Sequence, residues 1–226
     1  MKKFSRLRNM LVNASERTEF WFVLTLAFGF PIYKSFMHSP TSVRRAISDW
    51  SVLSMMAFEI AVLAIVVWIS RIRGWSIQQL GLQPSWRLTA MGIVLFFLIF
   101  VLLAPFILVI HRFVPDSFYH PPTRILSLSL ATIFATGIIN PLFEETLVCG
   151  YIIQRLANKG AVVAITFSAV VRFLCHTYQG PPALVLLATG FVFGCIFWRY
   201  RQLWPLIVCH SLVDFVGLTV ARATVN

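Results

Sequence analysis

Acidic residues are scarce in this chain: eight Asp and Glu in 226 residues, against nineteen Lys and Arg. Charged residues of both signs make up only 12 %, well under the roughly 25 % of a soluble globular domain. That shortage excludes a charged soluble surface. The four cysteines contain no CxxC pair and sit in or beside apolar runs, so a secreted disulfide framework is excluded and they read as small apolar fillers. The net charge of +11 comes without loops that interleave aromatic and basic residues, which excludes a nucleic-acid surface. Internal repeats and low-complexity stretches are also missing.

What the chain has in abundance is apolar sequence, 58 % hydrophobic by residue. A helical span of a bilayer takes about 20 apolar residues, and the runs predict an all-α polytopic membrane bundle of about seven spans (six to eight). Residues 1–124 form a basic arm and three membrane helices, expected near Phe20–Tyr33, Trp50–Ser70 and Leu88–Ile110. Residues 125–222 hold the rest: a long helix from Ile125 to Leu156, then helices at Ala161–Cys175, Pro182–Tyr200 and Leu203–Ala221. The long helix measures about 48 Å at ~1.5 Å per residue, more than a ~30 Å hydrocarbon core, so a bend at Pro141 or an interfacial start is expected. Arg71 to Leu82 reads as an interfacial loop with Trp anchors. Glu16 and Glu19 interrupt the basic N-terminal stretch, and no small-x-small cleavage site follows Tyr33, so a retained first span is expected. With a cytoplasmic N-terminus the inner segments hold twelve Lys/Arg and the outer ones six, as the positive-inside rule requires. A bacterial plasma membrane is the expected location.

Against this background four acidic residues (Glu59, Glu144, Glu145 and Asp214) lie well inside apolar segments. An intramembrane charge costs ~2.5 kcal/mol or more and marks a functional site by default. Glu144 and Glu145 are neighbours, which doubles the cost. Glu59 alone reads as a helix–helix hydrogen-bond partner. Two histidines complete the set: His176 closes the fifth helix, and His210 stands four residues before Asp214, on the same helix face. A Glu pair, a His and a His-xxx-Asp on three helices can activate a water, with a carboxylate or His taking its proton and the remaining donors stabilising an oxyanion.

In order, Glu144-Glu145-xxx-Cys149-Gly150, Arg172-xxx-His176 and His210-xxx-Asp214 resemble the three motifs of the CPBP (CAAX-prenyl-protease and bacteriocin-processing, or Abi) intramembrane proteases, over roughly residues 125–220. The resemblance implies a membrane-embedded endopeptidase acting on a membrane-associated peptide or a lipidated protein tail. It further implies that Glu144 and His176 activate the water and that His210 and Asp214 support the oxyanion. No cofactor is required by that mechanism; the alternative is zinc on Glu144, His176 and His210. The expected partners are a peptide or protein substrate and the lipid bilayer. Two positions depart from the family: Cys149 stands where it has arginine, and Arg172 where it has phenylalanine. The expectation is that Arg172 supplies from the fifth helix the charge that Glu145 would otherwise receive from its own. The alternatives are a degenerate, non-enzymatic immunity or scaffold protein and, less favoured for want of repeated halves, a proton-coupled transporter.

Overall fold

The computed structural model describes residues 13–37, 46–114, 124–125 and 128–223. Lys2, Lys3, Arg6 and Arg8 of the basic arm, Arg44 and Arg45, and the prolines at 115, 121 and 122 lie outside the described residues. Seven membrane-type helices make up the described chain: α1 (Glu16–Met37), α2 (Asp49–Ile72), α3 (Trp86–Phe113), α4 (Leu130–Glu145, running on into Thr146–Ile153), α5 (Ala161–Cys175), α6 (Ala183–Tyr200) and α7 (Trp204–Ala223). One short parallel pairing, Ala46–Ile47 with Arg124–Ile125, joins two connections. Five of the helices are long and apolar enough to cross a bilayer, and together they mark an integral membrane protein. Their outer faces carry large apolar side chains such as Val101 and Leu108, 70 % and 68 % exposed, a surface suited to lipid.

Serine starts four of these helices. Ser15, Ser48, Ser85 and Ser129 each accept from a backbone N–H of the following first turn, and Ser48 and Ser51 form a reciprocal capping box. Such a cap satisfies one of the donors that a helix start leaves open. The cap at Ser15 explains why α1 begins four residues before the expected Phe20. It brings Glu16 and Glu19 into the helix, where they had read as an interruption. Glu19 is 3 % exposed. It accepts from Arg155 Nη2 at 2.6 and 2.7 Å, from Arg73 Nε at 2.8 Å and from Tyr151 Oη at 3.0 Å. Glu19 is therefore a buried acidic residue outside the four that lie in apolar segments, and α1 is tied through it to the ends of α2 and α4. Trp75, expected as an interfacial anchor, packs on that knot, with the Arg155 guanidinium 4.3 Å from its ring centroid.

The long fourth helix is interrupted, though not where Pro141 predicted. Pro141 lies within regular helix, and the irregularity follows the glutamates as a π-helical segment, Thr146–Ile153. Widened turns of this kind occur preferentially at functional sites. Here the segment is fully buried, and α5 feeds a donor into it: Ser168 Oγ donates to the Val148 carbonyl at 2.8 Å. α5 also packs closely on α6, where a Cβ on Gly190 would meet Ala169 Cα at 2.9 Å. α4 packs between α2 and α7, and α3 packs along α7.

Candidate active site

A cavity of about 560 Å³ opens among these helices and is lined by Glu59, Asn140, Glu144, His176, His210 and Asp214 together with apolar side chains. The sequence had left one difficulty, since His176 ends its helix while Glu144 lies within one. The length of α5 resolves it. At 15 residues and ~1.5 Å each, α5 spans roughly 22 Å, short of a ~30 Å hydrocarbon core. Its last turn therefore delivers His176 to the depth of Glu144, with Nε2 3.7 Å from Oε1.

The two glutamates have different surroundings. Glu145 is fully buried. It accepts from Arg172 Nη2 at 2.6 and 2.7 Å, from His210 Nδ1 at 2.8 Å and from the Cys149 thiol at 3.3 Å. A buried carboxylate holding that many donors is a wall fixture. Glu144 is 12 % exposed and has only a long contact to Arg172 Nη1, 3.4 Å from Oε2. The remaining face of Glu144 is turned to His176 and the cavity.

His176 has its tautomer set by the backbone. Its Nδ1 lies 2.9 Å from the Arg172 carbonyl, which can only accept, so Nδ1 carries a proton and in the neutral ring Nε2 is a lone pair. Two acceptors, the Glu144 carboxylate and His176 Nε2, therefore face one another at 3.7 Å. Across the cavity His210 donates from Nδ1 to Glu145, and its Nε2 faces Asp214 Oδ1 at 3.5 Å. Phe193 floors this half, its ring centroid 5.5 Å from the Arg172 guanidinium and 6.5 Å from that of His210.

The metal alternative fares poorly against this geometry. Among the described residues the three groups close enough to share an ion are Glu144, Glu145 and His210, not the expected Glu144, His176 and His210. A dication there would meet the Arg172 guanidinium, which already holds both oxygens of Glu145, so this triplet does not fit a metal.

Several side chains at the site had no signal in the sequence beyond being polar. Asn140, one turn before Glu144, donates from Nδ2 to Glu59 Oε1 at 2.9 Å, so Glu59 does tie α2 to α4. Ser35, near the end of α1, is buried; its Oγ lies 2.8 Å from Thr177 Oγ1 and accepts the Tyr178 N–H at 3.0 Å, pinning the turn that follows His176.

Residues 126–216 match the family model described as type II CAAX prenyl endopeptidase Rce1-like. No curated protein and no solved structure matches the chain. The matched segment contains both glutamates, Arg172, both histidines and Asp214, so the residues of the site lie where the chain is similar to the CPBP family of CAAX-type proteases.

Proposed function

We propose that the protein is an intramembrane endopeptidase that hydrolyses a peptide bond with a water activated by Glu144 and His176. The observation that carries this reading is the pair of facing acceptors: the Glu144 carboxylate and His176 Nε2, 3.7 Å apart. A water between them gives one hydrogen to each and leaves its oxygen lone pair for the scissile carbonyl carbon. Glu144 takes the proton as the C–O bond forms. The carbonyl oxygen, now an oxyanion, accepts from Nε2–H of His210, which with Nδ1 already donating to Glu145 acts here as the doubly protonated imidazolium between Glu145 and Asp214. Collapse of the intermediate breaks the C–N bond, and Glu144 returns its proton to the leaving amine. Glu145 and Arg172 act as a fixed ion pair that keeps His210 oriented through Nδ1. The substrate class that the family suggests is a membrane-associated peptide or lipidated protein tail.

The test is cleavage by the full chain in liposomes against a prenylated CAAX-type peptide and an apolar peptide library. Glu144→Ala and His176→Ala should each reduce kcat by about 10²–10⁴-fold, the range of general acid–base catalysis, with expression and unfolding temperature unchanged. Product formation that survives both substitutions would sink the reading.

A further inference from the structure

Glu59 is 4 % exposed and lines the cavity of the site. Only one of its oxygens is used. Oε1 accepts from Asn140, while Oε2 is buried and has no hydrogen-bond partner among the described residues. A buried polar atom left unpaired is destabilising, and a carboxylate oxygen is satisfied only by a donor or a proton. The helix tie to Asn140 would be met equally well by glutamine, so it does not account for a second, unpartnered oxygen.

The charge of the cavity indicates what would partner it. Glu59, Glu144 and Asp214 line the cavity, and Glu145 stands behind it. The opposing guanidinium, Arg172, is bound to both oxygens of Glu145. The chain as a whole is strongly basic, with a formal charge of +11, yet in this cavity three carboxylates face Arg172, His176 and His210; with Arg172 and His210 Nδ1 both spent on Glu145, the lining favours an added positive charge in a low-dielectric setting. The rest of the lining, Phe28, Met55, Phe58, Ile99, Leu103 and Leu186 among it, suits apolar side chains.

We infer that Glu59 is a substrate-binding residue whose Oε2 receives the ammonium or guanidinium of a basic side chain, so that the peptide taken up is apolar with one Lys or Arg beside the scissile bond. This inference rests on the peptidase reading and names the substrate class for it. Glu59→Gln separates recognition from support. The amide oxygen keeps the bond from Asn140, while the amide nitrogen replaces the acceptor with a donor.

The probes are matched apolar peptides differing only in a Lys or a norleucine, scanned along the sequence and offered to the full chain in liposomes. The parent protein should cleave the best Lys peptide at least 10-fold more efficiently in kcat/KM than its norleucine partner, chiefly through KM. In Glu59→Gln the ratio should fall below about 3-fold, with the unfolding temperature unchanged. An undiminished ratio in the variant, or no Lys preference in the parent, overturns the inference while leaving the peptidase reading intact. If the parent cleaves none of the peptides, the peptidase reading fails by itself. Photo-cross-linking of the same pair then decides: Lys-selective labelling that Glu59→Gln abolishes supports the site, and equal labelling overturns it.

Discussion

Adjacent in sequence, Glu144 and Glu145 are wired to different parts of the protein. Glu145 has both oxygens occupied and belongs to the wall; Glu144 keeps one face open to His176. Arg172 is the residue on which this division rests, because its side chain holds Glu145 while its carbonyl sets the His176 tautomer. Replacing the guanidinium by phenylalanine leaves a fully buried carboxylate without its countercharge, a loss of about 3–5 kcal/mol for a broken buried pair. Arg172→Phe should therefore lower the unfolding temperature in detergent and remove activity. Cys149 sits one helical turn after Glu145 and already donates to it at 3.3 Å, so Cys149→Arg in the same protein should restore both. A double variant as impaired as the single one would show that the charge cannot be supplied from α4. His176 should be far less sensitive to this exchange, since a backbone carbonyl is present whatever side chain occupies position 172.

At the scale of the helices, α5 is the element on which the site depends, since it carries both Arg172 and His176 and is short enough to end beside Glu144. Its seat on α6 is a close one: a Cβ on Gly190 would stand 2.9 Å from Ala169 Cα, and one on Gly194 2.8 Å from Ile165 Cγ2. Small residues four apart permit such backbone approach between membrane helices. Backbone cannot yield as a flexible side chain can, so Gly190→Val should cost about 1–3 kcal/mol by overpacking. It should also reduce kcat more than KM, read from thermal unfolding and steady-state cleavage of the same preparation. The sequence foretold α5, α6 and α7 to within two residues at each end, because Gly160, Pro181-Pro182 and the Arg199-Tyr200-Arg201 stretch punctuate the apolar runs. It misplaced the start of α1, because a buried Glu and a surface Glu are the same letter until their partners are known. The π-helical segment was not legible at all, since no residue pattern spells out an i→i+5 bond. The polar residues of the site stood out against apolar sequence. What did not was their pairing across helices, such as Asn140 with Glu59 and Ser35 with the 177–179 turn, which depends on the depth and rotation of each helix.

For the molecule as a whole, the segment that matches the protease family is not bounded by its own contacts. α1 lies outside that segment and is fastened to it at both ends: Glu19 holds Arg155 and Tyr151, and Ser35 holds Thr177 and Tyr178. Glu19→Gln should expose the cost of the first fastening. Two arginines, with side chains 10 % and 17 % exposed, would lose the carboxylate between them. The expected loss is about 3 kcal/mol, seen as a lower unfolding temperature with His176 and Glu144 untouched in sequence. An unchanged temperature would mean that the knot is neutral. The same fastenings set a timetable for biosynthesis. Arg155 lies 136 residues after Glu19, which at ~5–20 residues per second is roughly 7–27 s of translation. Until Arg73 is made, 54 residues on, a helix already synthesised carries a carboxylate with no partner, and its Ser35 hydroxyl waits longer still for Thr177 and Tyr178, so the insertion machinery or the membrane interface must shelter them until the rest of the bundle arrives.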